Sequence, residues 1–365
     1  MNIKEINYPK STNSEFVKTL NLKVKRYFES NNKSIHANSQ MIIKSIVMVS
    51  IYFAPFILFY STVLSNVWLM LGLWIWAGIG MAGIGMAVMH DANHGAYSSN
   101  AKVNKYMGMW IHAVGGYATT WKLQHNVLHH SFTNISGYDE DIAAGKLLRL
   151  SPHEKHHFLY RFQHVYAWFL YGLLTVSWTV AKDYKQLYRY HKFGLLKTQN
   201  KSFTKRMINL VLIKIVYLSY SLVLPLILIP ISWYWIVLGY LIMHFTAGVI
   251  LGTTFQCAHV MPTSEYPLPD KDGSIDHDKT VHQILTTSDF APNSTVISWF
   301  LGGLNYQVEH HLFPYICHIH YKKLSKIVKS TVVEFSLPYH VQPTFFKAIF
   351  SHYKMLKMLG NPVRA

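Results

Sequence analysis

Long uncharged runs alternate with charged, histidine-rich stretches along this chain, and their lengths set the first expectation. Residues 67–89, VWLMLGLWIWAGIGMAGIGMAVM, carry no charge and exceed the roughly 20 residues a helix needs to cross about 30 Å of hydrocarbon. A preceding run, about 41–63, has a single charge, Lys44, near its entrance, and a break at Ser65 and Asn66 joins the two. A second hairpin is predicted over about 207–230 and 231–255, turning at Pro230. Its Lys214 lies about 10 Å along the helix, within reach of the starting side by snorkelling.

Two apolar segments outside the hairpins are read as non-crossing. Tyr106–Trp121 is short and interrupted by Gly108, Gly115 and Gly116, which suggests a dipping or interfacial helix. Phe162–Ala181 passes without a charge, but its Tyr166, Trp168, Tyr171 and Trp178 resemble an aromatic belt in the interface plane. Residues 1–40 form a polar, amphipathic segment with Phe16, Leu20, Val24 and Phe28 four apart and no signal-peptide core. The Pro-, Asp- and Gly-rich stretch Met261–Lys279 reads as a solvent-facing loop. The predicted fold is thus an all-α integral membrane domain over 41–365, with four spans in two hairpins, interfacial helices and a helical cap.

Composition sharpens this. Half of the 365 residues are hydrophobic and 14% are charged, too few for an ordinary soluble enzyme. The net charge is +17, and sorting Lys and Arg by the predicted spans puts 7 before the first hairpin, 15 in 90–206 and 10 from 257 onward. The positive-inside rule then places both termini and the middle segment in the cytoplasm, with a bacterial inner membrane as the expected location. The charge is read as attraction to anionic lipid, and no nucleic-acid partner is expected. The two cysteines, Cys257 and Cys317, cannot build a disulfide framework and are read as packed.

The 22 histidines need a separate explanation. Three groups stand out: His90 and His94 in HDANH, His125, His129 and His130 in HNVLHH, and Gln307, His310 and His311 in QVEHH. In the first two, i and i+4 spacing puts a pair of imidazoles on one helical face, and His130 and His311 point further round. One ion cannot use seven imidazoles, so two metals are the economical reading, with Zn, Cu, Fe and Ni all open. Asp91, Glu309, Asp139 and Asp141 are candidate acceptors that would orient the rings. Two rivals are weaker. His153, Glu154 and His157 spell the H-E-x-x-H of metalloproteases, but that reading leaves the other clusters without a task. A histidine-lined transporter would hold its ligands near the bilayer midplane, whereas these follow the spans.

HDANHGAYS, WKLQHNVLHHSFTNISGYDED, HQILTTSDF and GGLNYQVEHHLFP together resemble the histidine boxes of the membrane fatty acyl desaturases. The Gln opening the third box is similar to the branch holding front-end and linoleoyl-CoA-type enzymes. The resemblance implies a non-haem di-iron centre on the cytosolic side of four spans, which uses O2 and two external electrons to leave a cis double bond in an acyl-CoA or acyl-lipid chain. It implies one further ligand after the fourth span, matched by His259. Gln307 departs from the all-histidine box of other branches, as a weak ligand or as a donor to one. Trp121 stands where relatives line the acyl channel, with Asn305 and Tyr306 as weaker candidates. A hydroxylase or ketolase of the same superfamily is the nearest competitor. No haem-binding HPGG occurs in the sequence, so electrons are expected from a separate ferredoxin-like or cytochrome b5-like protein, for which Lys322, Lys323, Lys326 and Lys329 offer a basic stripe. The clusters can meet only if Phe162–Ala181 does not cross.

Overall fold

The computed structural model describes residues 6–9, 14–61, 65–196 and 202–361. Among the described residues, four helices are long and apolar enough to cross a membrane: Ser39–Tyr60, Val67–Asn93, Phe203–Leu228 and Trp233–His259. The predicted end of the first span at residue 63 lies outside the described residues. Asn66 caps the second span as its side chain accepts from the Trp68 and Leu69 amides. Second and fourth spans both run past their apolar stretches, and these extensions carry His90, Asp91 and His259.

Glycines let the spans close on one another. A Cβ on Gly80 would come within 2.5 Å of the Tyr52 backbone nitrogen, and one on Gly78 within 2.5 Å of the Met243 carbonyl oxygen. The second span is therefore the centre of the bundle, with Trp74 wedged between Phe56 and Phe59 of the first and Tyr240 of the fourth. Outward-facing Ile57, Trp68, Val216 and Ile227 are two-thirds or more exposed, as expected of side chains whose solvent is lipid.

The remaining chain forms a cap over one end of the bundle. Phe16, Leu20, Val24 and Phe28 of the helix Ser14–Ser30 are all buried, as their spacing predicts, against Leu324, Val328 and Val332 of the helix Tyr321–Glu334. A parallel pairing of Asp289–Phe290 with Val341–Gln342 ties the cap to the segment before the last helix, Phe345–Gly360.

The segment Phe162–Ala181 is not one continuous helix, and it packs on the fourth span. It is a broken helix (Gln163–Gly172, Leu174–Ser177 and a π-turn over Trp178–Lys182) that leans into the bundle. Gly248 of the fourth span meets the Tyr171 and Gly172 carbonyls, Thr175 donates to the His244 carbonyl at 2.8 Å, and Thr179 lies beside Gly115. Continuing as Asp183–Lys192, it returns to the start of the third span, where Leu187 and Tyr190 pack with Leu210. Tyr106–Trp121 is likewise broken into short helices and held against the third span.

Lys214 does not snorkel. Its ammonium is buried and donates to Gly115 O at 2.6 Å, Trp178 O at 2.9 Å and Asp183 Oδ2 at 2.5 Å. An ammonium with three oxygen partners inside the protein has no need of the interface.

Candidate metal centre

The three histidine groups, which lie up to 221 positions apart in the chain from His90 to His311, converge between the cap and the ends of the second and fourth spans. Two local devices bring them there. The second span breaks at Val88, with φ −118° and ψ −64°, and resumes as Met89–Asn93, turning His90 and His94 inward. The stretch Leu123–His129 is a π-helix, whose wider turn puts residues five apart on one face.

The i and i+4 spacing puts His125 and His129 on one face, and there the Nδ1 atoms of both lie within 3.9 Å of Asp141 Oδ2. On the other side of the ring, it is His130 whose Nε2 comes within 3.3 Å of His125 Nε2. His129 turns instead to His259 and His311. One group of nitrogens thus comes from His90, His94, His125 and His310, a second from His129, His259 and His311, and His130 lies between, grouped with His310 and His311. His90 and His125 Nε2 are 3.1 Å apart, and His130 and His310 Nε2 2.9 Å. Two nitrogens about 2.1 Å from one metal sit about 3.0–3.4 Å apart, so these separations are close to those of ligands that share an ion.

The outer ring nitrogens explain why the inner ones are available. His129 Nδ1 lies 3.1 Å from both Asp139 oxygens, His311 Nδ1 2.6 Å from Gln283 Oε1, His310 Nδ1 3.3 Å from the Tyr321 hydroxyl and His259 Nδ1 3.4 Å from Thr286 O. A ring that donates Nδ1–H outward presents its Nε2 lone pair inward. The Nε2 atoms of His94, His259 and His311 are buried and have no hydrogen-bond partner among the described residues, which is what a donor set built for metal leaves behind.

Electrostatics point the same way. Burial, then neighbouring rings, hold His94, His130, His310 and His311 well below the usual imidazole pKa, and His125 at about 3 despite the Asp141 carboxylate. These rings stay neutral and ligand-ready. His129 is the exception: burial lowers it, but Asp139 and Asp141 outweigh burial and raise it to about 9.

The other predicted positions are distributed as follows. Asp139 and Asp141 face the rings as expected, Asp141 Oδ2 standing 3.5 Å from His129 Nδ1. Asp91 Oδ1 is 3.8 Å from His90 Nδ1, and its Oδ2 accepts from the His318 amide and Nδ1 at 3.0 and 2.9 Å. Glu309 turns away from the histidines; it meets Tyr339 at 2.9 Å and lies beside Asp289, because its neighbours in the helix Gln307–Leu312 already fill the inward face. Gln307 is buried and its amide nitrogen has no acceptor among the described residues. Trp121 lies over His125, ring centroids 4.6 Å apart, and lines a narrow cleft with Tyr117, Gln124, Trp178, Asp183 and Gln186. Asn305 bonds Phe290 O, Ala291 O and Ser298, and Tyr306 bonds Pro292 O, so both brace the loop before the third box.

His153 and His157 do not pair. Their segment is a turn followed by extended chain, and His153 instead bonds Tyr266 O. Three contributors escaped the reading of the sequence. Gln283, inside HQILTTSDF, joins His311, Thr133 and the His130 carbonyl. Tyr321 touches His310, and Lys44 Nζ stands 2.8 Å from His318 Nε2, extending the Asp91 arrangement into the first span. Only Gln283 lay within a recognised motif.

Buried imidazoles gathered where helices of membrane-spanning length meet a polar cap define a membrane metalloenzyme. The family model for fatty acid desaturases matches residues 66–343, and the chain belongs to that family. It is similar to the sn-1 linoleoyl-lipid 6-desaturases of Synechocystis sp. (38% identical, covering 95% of this chain and 96% of the relative) and of Arthrospira platensis (36%, 95% and 93%). It is also similar to the acyl-lipid (8-3)-desaturase of Physcomitrium patens (33%, 97% and 74%). The protein is a fatty acyl desaturase, and neither the hydroxylase nor the protease alternative finds support.

Proposed function

We propose that this enzyme places a cis double bond in an acyl chain carried by a membrane lipid, between an existing double bond and the carboxyl end, as the names of its relatives indicate for them. The observation that carries the reading is the inward convergence of histidine Nε2 atoms whose outer nitrogens are pinned by oxygen acceptors. His90, His94, His125 and His310 would hold one iron, His129, His259 and His311 the other, with His130 between them and Gln307 as a ninth candidate. Bound there, the irons supply the oxidising power needed to break unactivated C–H bonds with O2.

The protein's own part is binding, orientation and exclusion of water. Asp139, Gln283 and Tyr321 hold rings at fixed angles, and Trp121 walls the side facing the cleft. An apolar groove of about 340 Å³, bounded by Val249, Ile250 and Thr253 of the fourth span and by Val296, Phe300 and Phe345, is the surface along which the acyl chain approaches. Reduction of O2 to two waters takes four electrons: two leave with the two hydrogens of the chain, and two come from a separate carrier protein with two protons from solvent. The Lys and Arg distribution supports placing the active site and both termini on the cytoplasmic side, and a bacterial inner membrane is the proposed location.

Expression in a host of defined lipid composition, with new double bonds mapped by mass spectrometry, tests the reaction. H129A and H310A should abolish the product and lower the iron content. A hydroxy acid in place of an alkene would overturn the assignment.

A further inference from the structure

A charge inside a membrane span is costly unless it is paired or put to use, and the first span carries one, Lys44, in its second turn. Its ammonium stands 2.8 Å from His318 Nε2. His318 Nδ1 in turn lies 2.9 Å from Asp91 Oδ2, and the His318 amide donates to the same oxygen at 3.0 Å. A carboxylate can only accept, so the imidazole donates from Nδ1 and offers its Nε2 lone pair to the ammonium. A neutral ring thus joins a cation to an anion, and all three side chains are at most 5% exposed. Asp91 is also the neighbour of His90 in sequence, with its Oδ1 3.8 Å from His90 Nδ1.

Asp91, Cys317 and His318 could themselves be taken for a metal site, since one ligand-type atom of each lies within 4.8 Å of the others. Lys44 speaks against that: its ammonium takes up the lone pair an ion would need and adds positive charge beside it. The effect of the cluster is electrostatic instead. Of the three carboxylates that face the histidines, Asp91 is joined to a buried cation through a single side chain. Asp139 stands 3.1 Å from His129 Nδ1, and Asp141 lies 3.5 Å from His129 Nδ1 and 3.9 Å from His125 Nδ1. Neither of these two makes an ion pair with a lysine or arginine among the described residues.

We infer that Lys44 is a positioning residue for the metal centre: acting through His318 and Asp91, it offsets the carboxylate beside His90, so that the ion held by His90, His94, His125 and His310 is the less electron-rich of the two. The inference rests on the reading of these histidines as two metal sites and adds what makes the sites unequal. A carboxylate next to a ligating imidazole raises the basicity of the ring and strengthens its hold on an ion. A buried ammonium at the far end of the same hydrogen-bonded chain acts in the opposite sense, and in a site closed to water its field is little screened. Removing that charge while keeping a hydrogen bond to His318 tightens metal binding at this group and lowers the reduction potential of its iron. Loss of a contact that was only structural would loosen binding.

The test uses the full-length protein in detergent, stripped of metal with a chelator and titrated with Co(II), whose visible spectrum reports its coordination. K44Q keeps a donor for His318 and removes the charge. It should bind one of two Co(II) equivalents more tightly than wild type, on the order of tenfold, and after iron loading one midpoint potential should move to more negative values. K44R keeps the charge, and the amide of H318Q can donate to Asp91 and accept from Lys44, so both should match wild type in affinity and potential. D91N should weaken the same equivalent, and K44Q/D91N should return it toward the wild-type value, a coupling read from the double-mutant cycle. Should K44Q misfold with Asp91 left uncompensated, D91N is compared with K44Q/D91N, and the double variant must bind Co(II) the tighter. Unchanged or weaker binding by K44Q overturns the proposal, as does a third equivalent bound by wild type, which would make Asp91, Cys317 and His318 a metal site. Failure of the two-metal reading would look different: wild type would take up no cobalt.

Discussion

At the scale of single residues, His129 is set apart by charge. Asp139 and Asp141 hold its ring protonated up to about pH 9 in the metal-free protein, whereas its neighbours are neutral. A metal must displace that proton, so metal uptake by the apoprotein should strengthen as pH rises toward 9 and level off above it. D139N removes the largest charge raising the ring, and the plateau should begin at lower pH. Titrating apoprotein with ferrous iron at several pH values checks both curves. Lys214 makes a second case. K214M leaves the Asp183 carboxylate buried with its main partner gone, a change worth about 3–5 kcal/mol, and D183N in the same chain should return part of the lost Tm. The histidines themselves were legible in the sequence because their types and spacings are unusual. Gln283, Tyr321 and Lys44 were not, since a lone amide, phenol or ammonium has no local pattern and acquires a role only through contacts made far along the chain.

At the scale of elements, the apolar runs fixed the hairpins within a few residues, and the four-residue spacing of Phe16, Leu20, Val24 and Phe28 announced a packed helix face. Two elements resisted the same reasoning. The π-turn over Leu123–His129 has no periodic signature, so helical geometry alone did not show that His130 also closes on His125. The broken helix after Phe162 has the hydropathy of a span, and its course is decided by close backbone contacts that hydropathy does not register. Gly248 is the chief of these, since a side chain there would strike the carbonyls of Tyr171 and Gly172 at 2.5 and 2.6 Å. G248L should lower stability in detergent by about 1–3 kcal/mol, as overpacking does, and should reduce activity as the helix is pushed aside. G85A, whose Cβ would meet nothing nearer than 3.5 Å, should be nearly silent in the same melting assay.

At the scale of the whole molecule, convergence of the three boxes requires that the segment between the two hairpins begin and end on the same side. Lys192 is exposed at the end of Asp183–Lys192. In an otherwise cysteine-free background, K192C should react with an impermeant maleimide only when the cytoplasmic face is open to it. Labelling from the opposite side would separate the boxes and dissolve the site.

The wide turn that carries His125, His129 and His130 has an implication for how the enzyme tolerates change. Three imidazoles serving both nitrogen groups hang from six consecutive backbone positions. The gap between the two groups is therefore written into one stretch of main chain and is insulated from breathing of the bundle around it. Exchanging a side chain in this stretch alters one contact, but deleting a single residue would restore ordinary winding and swing every ring out of register at once.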